Sequence, residues 1–314
     1  VQSVAGSTTL TVVVPPGANY QYISVTNLDY NTTGYSANPF VVTYTPNGEN
    51  IFRPRTSLTA GATANDVTIA DLNRDGKPDL AVANANGTIS IFQNTTAAGA
   101  TVTTFVNAAT PTMMSGATNG TVVVADFDGD AWPDLALANV GSGTNGFSVL
   151  RNTTFGAATI TFSSTPFTIT SPGSAISIAI GDFDGDSRPD LAVAGSAAVQ
   201  LFRNQSISGT LVFTSQQTLS AANNTPNVLA IGDFDQDGRV DLVVANSSAN
   251  NVLVFKNNSS LGTINLSLSV TLTTPSAPSS VAVGDFNGDG FLDIATTNNT
   301  NSTVSVFRNV ANSS

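Results

Sequence analysis

The chain has no cysteine and no histidine among its 314 residues. Without cysteine, no disulfide staples the fold and no thiolate can hold a soft metal. Without histidine, a serine nucleophile would lack its usual base. Glutamate occurs once, at Glu49, and tryptophan once, at Trp132. Basic residues are few. Ten Lys and Arg stand against 21 Asp and Glu, for a net charge of −11. That balance excludes the basic footprint of a nucleic-acid binder. No apolar run reaches 18 residues, so no helix is expected to span a membrane. The sequence opens at Val1 with no charged leader and apolar segment, as in a mature or excised product.

The acidity is concentrated. Of the 21 acidic residues, all but Asp29, Glu49 and Asp66 fall in five copies of one nine-residue loop. The loops span Asp71–Asp79, Asp126–Asp134, Asp182–Asp190, Asp233–Asp241 and Asp285–Asp293. Oxygen-bearing residues recur at positions 1, 3, 5 and 9. They are Asp71, Asn73, Asp75 and Asp79 in the first loop, and Asp126, Asp128, Asp130 and Asp134 in the second. Asp182, Asp184, Asp186 and Asp190 follow, then Asp233, Asp235, Asp237 and Asp241, then Asp285, Asn287, Asp289 and Asp293. Alternate oxygens in a tight loop converge on one hard cation, and the position-7 carbonyl adds another ligand. Position 7 holds Lys77, Trp132, Arg188, Arg239 and Phe291. Asp-Gly pairs also mark ordinary turns, but five copies with one ligand spacing point to metal. Five divalent ions would bring the net charge to about −1.

The loops begin 55, 56, 51 and 52 residues apart, a period that marks a repeat architecture. Each repeat reads as four short strands. Apolar runs precede the loops at 67–70, 122–125, 178–181, 229–232 and 281–284, and second runs follow at 80–83, 135–138, 191–194, 242–245 and 294–296. A third run ends in a near-constant triplet, as in Phe202-Arg203-Asn204 and Phe255-Lys256-Asn257. Fourth runs are expected at 103–108, 160–167, 211–218 and 264–272. With no helical period, the fold class is all-β. Small residues before each loop (Ala70, Ala125, Gly181, Gly232, Gly284) suit strands crowded toward an axis, so a β-propeller is expected, with a linear β-helix as the competing geometry. The fifth repeat lacks a fourth run, and residues 51–58 offer a spare strand to close the ring. Residues 48–314 would then form about five four-stranded blades, and residues 1–47, with strand-like runs at 8–14, 20–26 and 40–45 and a turn at 31–34, a partial Ig-like β segment.

The run Ala230-Ile-Gly-Asp-Phe-Asp-Gln-Asp-Gly-Arg-Val-Asp-Leu242 resembles the FG-GAP and VCBS repeats, which are related to those of the integrin α-subunit propeller. The resemblance covers about residues 48–310. It implies that each loop joins the two inner strands of a blade and binds calcium, about five ions in all, through the residues named above. Two loops depart by carrying Asn73 and Asn287, each an oxygen donor with one less charge. Ala131 and Ser187 stand where the other loops have glycine at position 6, so a left-handed turn there is costlier. The repeats resemble those of large secreted bacterial surface proteins more than the integrin form.

No enzyme activity is expected, because nearly every carboxylate is committed to a loop and each loop is full. The expected role is a secreted, cell-surface-associated module for adhesion or surface architecture, with a cell-surface protein or glycan as ligand. A self-assembling subunit that binds other copies of itself, or a lectin-like module of a larger enzyme, are the alternatives. The recurrent Arg151, Arg203, Lys256 and Arg308 are expected to pair with loop carboxylates, and Trp132 to pack locally instead of stacking on a sugar. Asn-x-Ser/Thr triplets at Asn31, Asn94, Asn152, Asn204, Asn246, Asn257, Asn265 and Asn301 are glycan acceptors where the host supplies the machinery.

Overall fold

A computed structural model describes residues 24–27, 32–35, 55–109, 118–140, 146–156, 159–169, 174–195, 198–220 and 226–310. The chain divides into two units, Val1–Arg55 and Thr56–Ser314. In the first, β1 (Ser24–Asn27) pairs antiparallel with β2 (Thr32–Tyr35). Residues 32–34, expected in a turn, lie in β2, where Gly34 pairs with Val25. The strands expected at 8–14 and 40–45 fall outside the described residues, as does most of the Ig-like segment.

The second unit holds five antiparallel sheets, in the manner of propeller blades. The first blade is β3 (Ala64–Ala70), β4 (Asp79–Asn84), β5 (Ile89–Asn94) and β6 (Phe105–Ala109). The second is β7 (Thr118–Ala125), β8 (Asp134–Val140), β9 (Phe147–Leu150) and β10 (Phe167–Ile169). The third is β11 (Ala175–Gly181), β12 (Asp190–Gly195), β13 (Val199–Asn204) and β14 (Phe213–Leu219). The fourth is β15 (Pro226–Gly232), β16 (Asp241–Asn246), β17 (Asn251–Asn257) and β18 (Leu266–Thr273). The fifth has three strands, β19 (Pro278–Gly284), β20 (Asp293–Asn298) and β21 (Thr303–Phe307). Each acidic loop joins the first and second strands of its blade.

Residues 80–83, 135–138, 191–194 and 242–245 of the second strands are apolar and, Leu80 apart, buried on both faces, whereas β20 carries Thr296 and Thr297. The two faces differ. One carries large side chains in a cross-strand row, such as Ile180, Leu191 and Phe202, and meets the preceding blade. The other carries smaller ones, such as Ala179, Ala192 and Leu201, and meets the next. First strands of successive blades pack together, β3 on β7, β7 on β11, β11 on β15 and β15 on β19. Four interblade cores result.

The glycines before the third and fourth loops answer to this neighbour contact. A Cβ on Gly232 would lie 2.7 Å from Leu292 Cδ1 in the following loop, and one on Gly181 would lie 3.3 Å from Val240 Cγ1. The fourth strands begin later than expected, and β10 is reduced to Phe167–Ile169. The residues ahead of them turn inward to fill the core: Ile160, Leu211 and Ile264 are buried there.

Among the described residues the expected ring closure is not seen. Residues 51–54 lie outside the described residues, and 55–63 form no strand. Among the described residues the fifth sheet ends at β21. Beside it a cavity of about 360 Å³ is lined by Val254, Val270, Leu272, Ile294 and Phe307. It lies on the core that Ile264 and its counterparts fill in the earlier blades.

Candidate metal centres

Every loop is built by its own carboxylates. Position 1 takes the N–H groups of positions 5 and 6. Asp71 accepts from Asp75 N at 3.0 Å and Gly76 N at 2.8 Å, and Asp126, Asp182, Asp233 and Asp285 do the same. Position 3 accepts a second bond from position 5, and position 5 accepts one from position 7. Position 9 ties the loop to the sheet. Asp134 takes Phe127 N at 3.0 Å on one oxygen and Asn152 N at 2.7 Å on the other. The same two bonds recur at Asp79, Asp190, Asp241 and Asp293.

This wrapping needs two left-handed residues per loop, at positions 4 and 6. In the second loop they are Gly129 (φ 72°) and Ala131 (φ 70°), and in the fourth Gln236 (φ 59°) and Gly238 (φ 84°). Position 6 was legible from its glycines, whereas the demand at position 4 was not. Ala131 and Ser187 do adopt the costly turn, each beside a glycine at position 4.

The carboxylates converge. Oxygens of Asp126, Asp128 and Asp134 lie within 4.8 Å of one another, as do those of Asp182, Asp184 and Asp190 and those of Asp233, Asp235 and Asp241. These are positions 1, 3 and 9. The first and fifth loops carry Asn73 and Asn287 in place of the second carboxylate. Burial pushes Asp134 and Asp190 up to about 7, and raises Asp79 and Asp241 as well. An all-oxygen donor set with crowded, buried carboxylates fits a hard divalent cation such as calcium.

Position 5 is not one of those three, and it pairs with basic side chains. Arg203 reaches Asp184 at 2.5 Å and Asp186 at 2.9 Å. Arg151 bonds Asp128 and lies 3.6 Å from Asp130, Lys256 bonds Asp235 and Asp237, and Arg308 meets Asp289 at 3.3 Å. The hydrogen bond from Lys256 holds the Asp235 carboxyl below its usual range. The recurrent cations thus pair with loop carboxylates, as expected. At position 7, Arg188 and Arg239 fold onto position 5 of their own loops, Lys77 lies 3.8 Å from Asp75, and Trp132 lies under the Arg74 guanidinium at 5.4 Å. Trp132 was expected to pack locally, but this contact reaches the loop of the preceding blade. The side chain of Phe291 is half-buried.

The asparagine that ends the third run has a role the sequence reading missed. Asn152 Nδ2 donates to Leu72 O of the preceding loop and to Pro133 O of its own, while Oδ1 accepts Thr154 N. Asn204 and Asn257 repeat all three bonds. The hydroxyl two residues on then binds the backbone entering the fourth strand, as Ser206 Oγ does at Val212 N. Four Asn-x-Ser/Thr triplets, at Asn94, Asn152, Asn204 and Asn257, are thus buried clamps, with amide nitrogens already engaged.

A family model described as FG-GAP-like repeat matches residues 27–82, 71–137, 126–193, 182–244 and 233–296. Among solved structures, the chain resembles BBS1N in crystals of its complex with ARL6DN soaked with mercury. The TM-score is 0.48 at 13% identity, over 78% of this chain and 66% of that one. The lead-soaked form gives 0.46 at 12% identity, over 78% and 69%. No curated protein sequence matches the chain.

Proposed function

The chain belongs to the FG-GAP-like repeat family, and on that premise we propose that it is a non-catalytic, calcium-binding propeller module acting outside the cell in adhesion or surface architecture. The observation that carries the calcium reading is the triple convergence of aspartates at positions 1, 3 and 9 of the second, third and fourth loops. Asp126, Asp128 and Asp134 would hold one ion, and their counterparts in the other loops would hold the rest. A bound ion supplies positive charge that lets buried carboxylates stay ionised together. The chain's own part is to preorganise the oxygens through backbone N–H groups, so little reorganisation accompanies binding. Extracellular calcium is abundant enough to fill such sites, which supports an outside location. A cell-surface protein or glycan is the partner class this role implies.

Calorimetric titration of calcium into chelator-treated protein tests the reading. Binding of at least three ions, approaching five as the weaker Asn-bearing loops fill, is expected. No heat and no uptake at millimolar calcium would overturn it.

A further inference from the structure

One end of every blade buries an amide oxygen that no described donor reaches. The second strand starts at the last aspartate of its loop, and five residues further on it is roughly 17 Å away. That end of the blade is therefore remote from the acidic loops. Asn84, Asn139 and Asn298 stand there in the first, second and fifth blades. They are 0%, 0% and 1% exposed. Each amide nitrogen donates across the hairpin to a serine: Asn84 to Ser90 Oγ at 3.0 Å, Asn139 to Ser148 Oγ at 2.9 Å and Asn298 to Ser305 Oγ at 2.9 Å. The Oδ1 atom of each is buried and accepts no hydrogen bond.

The third and fourth blades change the side chains and keep the unpaired oxygen. Ser90, Ser148 and Ser305 lie opposite Val82, Leu137 and Thr296, two residues before the asparagine. In the third blade Gly195 replaces the asparagine, and Gln200, opposite Val193, replaces the serine. The amide now comes from the other strand of the hairpin, and its Oε1 is again buried without a donor. In the fourth blade Leu253 takes the serine position, opposite Val244. There Asn251, across the sheet from Asn246, carries the buried Oδ1 without a donor.

The segment that leads into the first strand lies against this end without meeting the need. In the first blade Gly61 N donates to Ser90 Oγ at 2.9 Å, and Ala85 N donates to Thr63 O. In the fifth Asn299 N donates to Ala277 O, and the buried Ser276 Oγ beside it is one more oxygen with no partner. A buried acceptor left unpaired is costly. One such oxygen at the same place in five repeats, retained when a different residue supplies it, points to a ligand that donates there. The ligand must be small, because these oxygens are closed to solvent. It must also be neutral, because one uncharged oxygen per blade falls far short of the six or more that a hard cation takes. Water meets both conditions, and buried water typically makes about three hydrogen bonds to such groups.

We propose that each blade holds one buried water at the end of the hairpin away from its acidic loop, donating to the amide oxygen of Asn84, Asn139, Gln200, Asn251 or Asn298. The second proton and the lone pairs of the water bond the polar groups beside it. The five waters form a set separate from the metal sites, one to each repeat, and belong to the folded core.

Diffraction from crystals of the full chain, fine enough to show ordered water, tests this. A peak about 2.8 Å from each of these oxygens is expected. Crystals grown with rubidium as the monovalent cation should show no anomalous signal at those peaks. The Gln200→Leu variant should lose the peak in the third blade and keep the others. Dry oxygens in three or more blades would overturn the proposal. So would a rubidium signal at the peaks, amides turned over so that their nitrogens meet protein acceptors, or a third-blade peak that survives in Gln200→Leu.

Discussion

Asn152 Nδ2 donates at 2.8 Å to Leu72 O, eighty positions earlier in the chain. This bond joins the end of one blade's third strand to the acidic loop of the blade before it. The Asn152 side chain is buried, and its amide also holds Pro133 O and Thr154 N. Asn152→Ala strands three backbone groups. Loss of about 1–3 kcal/mol of stability is expected. Denaturant unfolding of the calcium-loaded variant measures it, and a change under about 0.5 kcal/mol would show that the clamp is dispensable.

Calcium is expected to hold the fold together. A site with a dissociation constant of ~10⁻⁴ M at ~10⁻³ M calcium contributes roughly 1.4 kcal/mol. Five such sites approach the net stability of a typical domain. Excess chelator should lower the melting temperature by ten degrees or more, and calcium should restore it. An unchanged melt with calcium shown to be absent would refute this.

The loops and blades were legible because they repeat in sequence at fixed spacing, so ligand positions and strand order could be read locally. The parts that were not legible depend on distant partners. Asn204 resembles a glycan acceptor until Phe127 O, 77 positions away, is seen beside its amide. Residues 160–166 look like the start of a strand, but Ile160 is drawn into the core shared with the first blade. Smallness at Gly232 was ascribed to an axis, whereas Leu292 of the next loop is what occupies the space. Residues 51–58 have strand composition, yet 55–58 form no strand.

The sites should differ in affinity. The second, third and fourth loops bring three carboxylates together, while Asn73 and Asn287 remove one charge from the first and fifth. The latter two should release calcium at higher free concentration. Asp235→Asn should move the fourth site toward them, with a loss of roughly tenfold in affinity for a lost unit charge near the ion. Crystals equilibrated at graded calcium would reveal the order through occupancy. Equal loss across all five loops would contradict it.

Arg203 would compete with a bound ion for Asp184, one of the three converging carboxylates. Its guanidinium contacts Asp184 Oδ2 and Asp186 Oδ2, neutralising the third loop from outside the trio. Removing that cation in Arg203→Gln should leave the loop more negative and raise its calcium affinity several-fold. The metal-free form should at the same time become less stable, because the carboxylates then repel without relief. Calorimetry on native and variant protein separates the two effects. Equal or weaker calcium binding in the variant would show that Arg203 supports the site without opposing it.

Gly120 marks a close backbone approach between blades. A Cβ there would sit 2.6 Å from Ile176 O on the first strand of the third blade. The register shift between Asn119 and Val122 places it at an irregularity in β7, where a strand bends and a neighbouring backbone comes near. A backbone carbonyl cannot swing aside as a side-chain end does, so Gly120→Ala must push the second and third blades apart. A cost of about 1–3 kcal/mol is expected. The comparison is Gly284→Ala, whose new methyl would meet only Phe286, at 3.5 Å. That change should leave the melting temperature of dilute protein within a degree or two of native. If the two variants melt alike, the interblade contact at Gly120 is not the constraint its geometry describes.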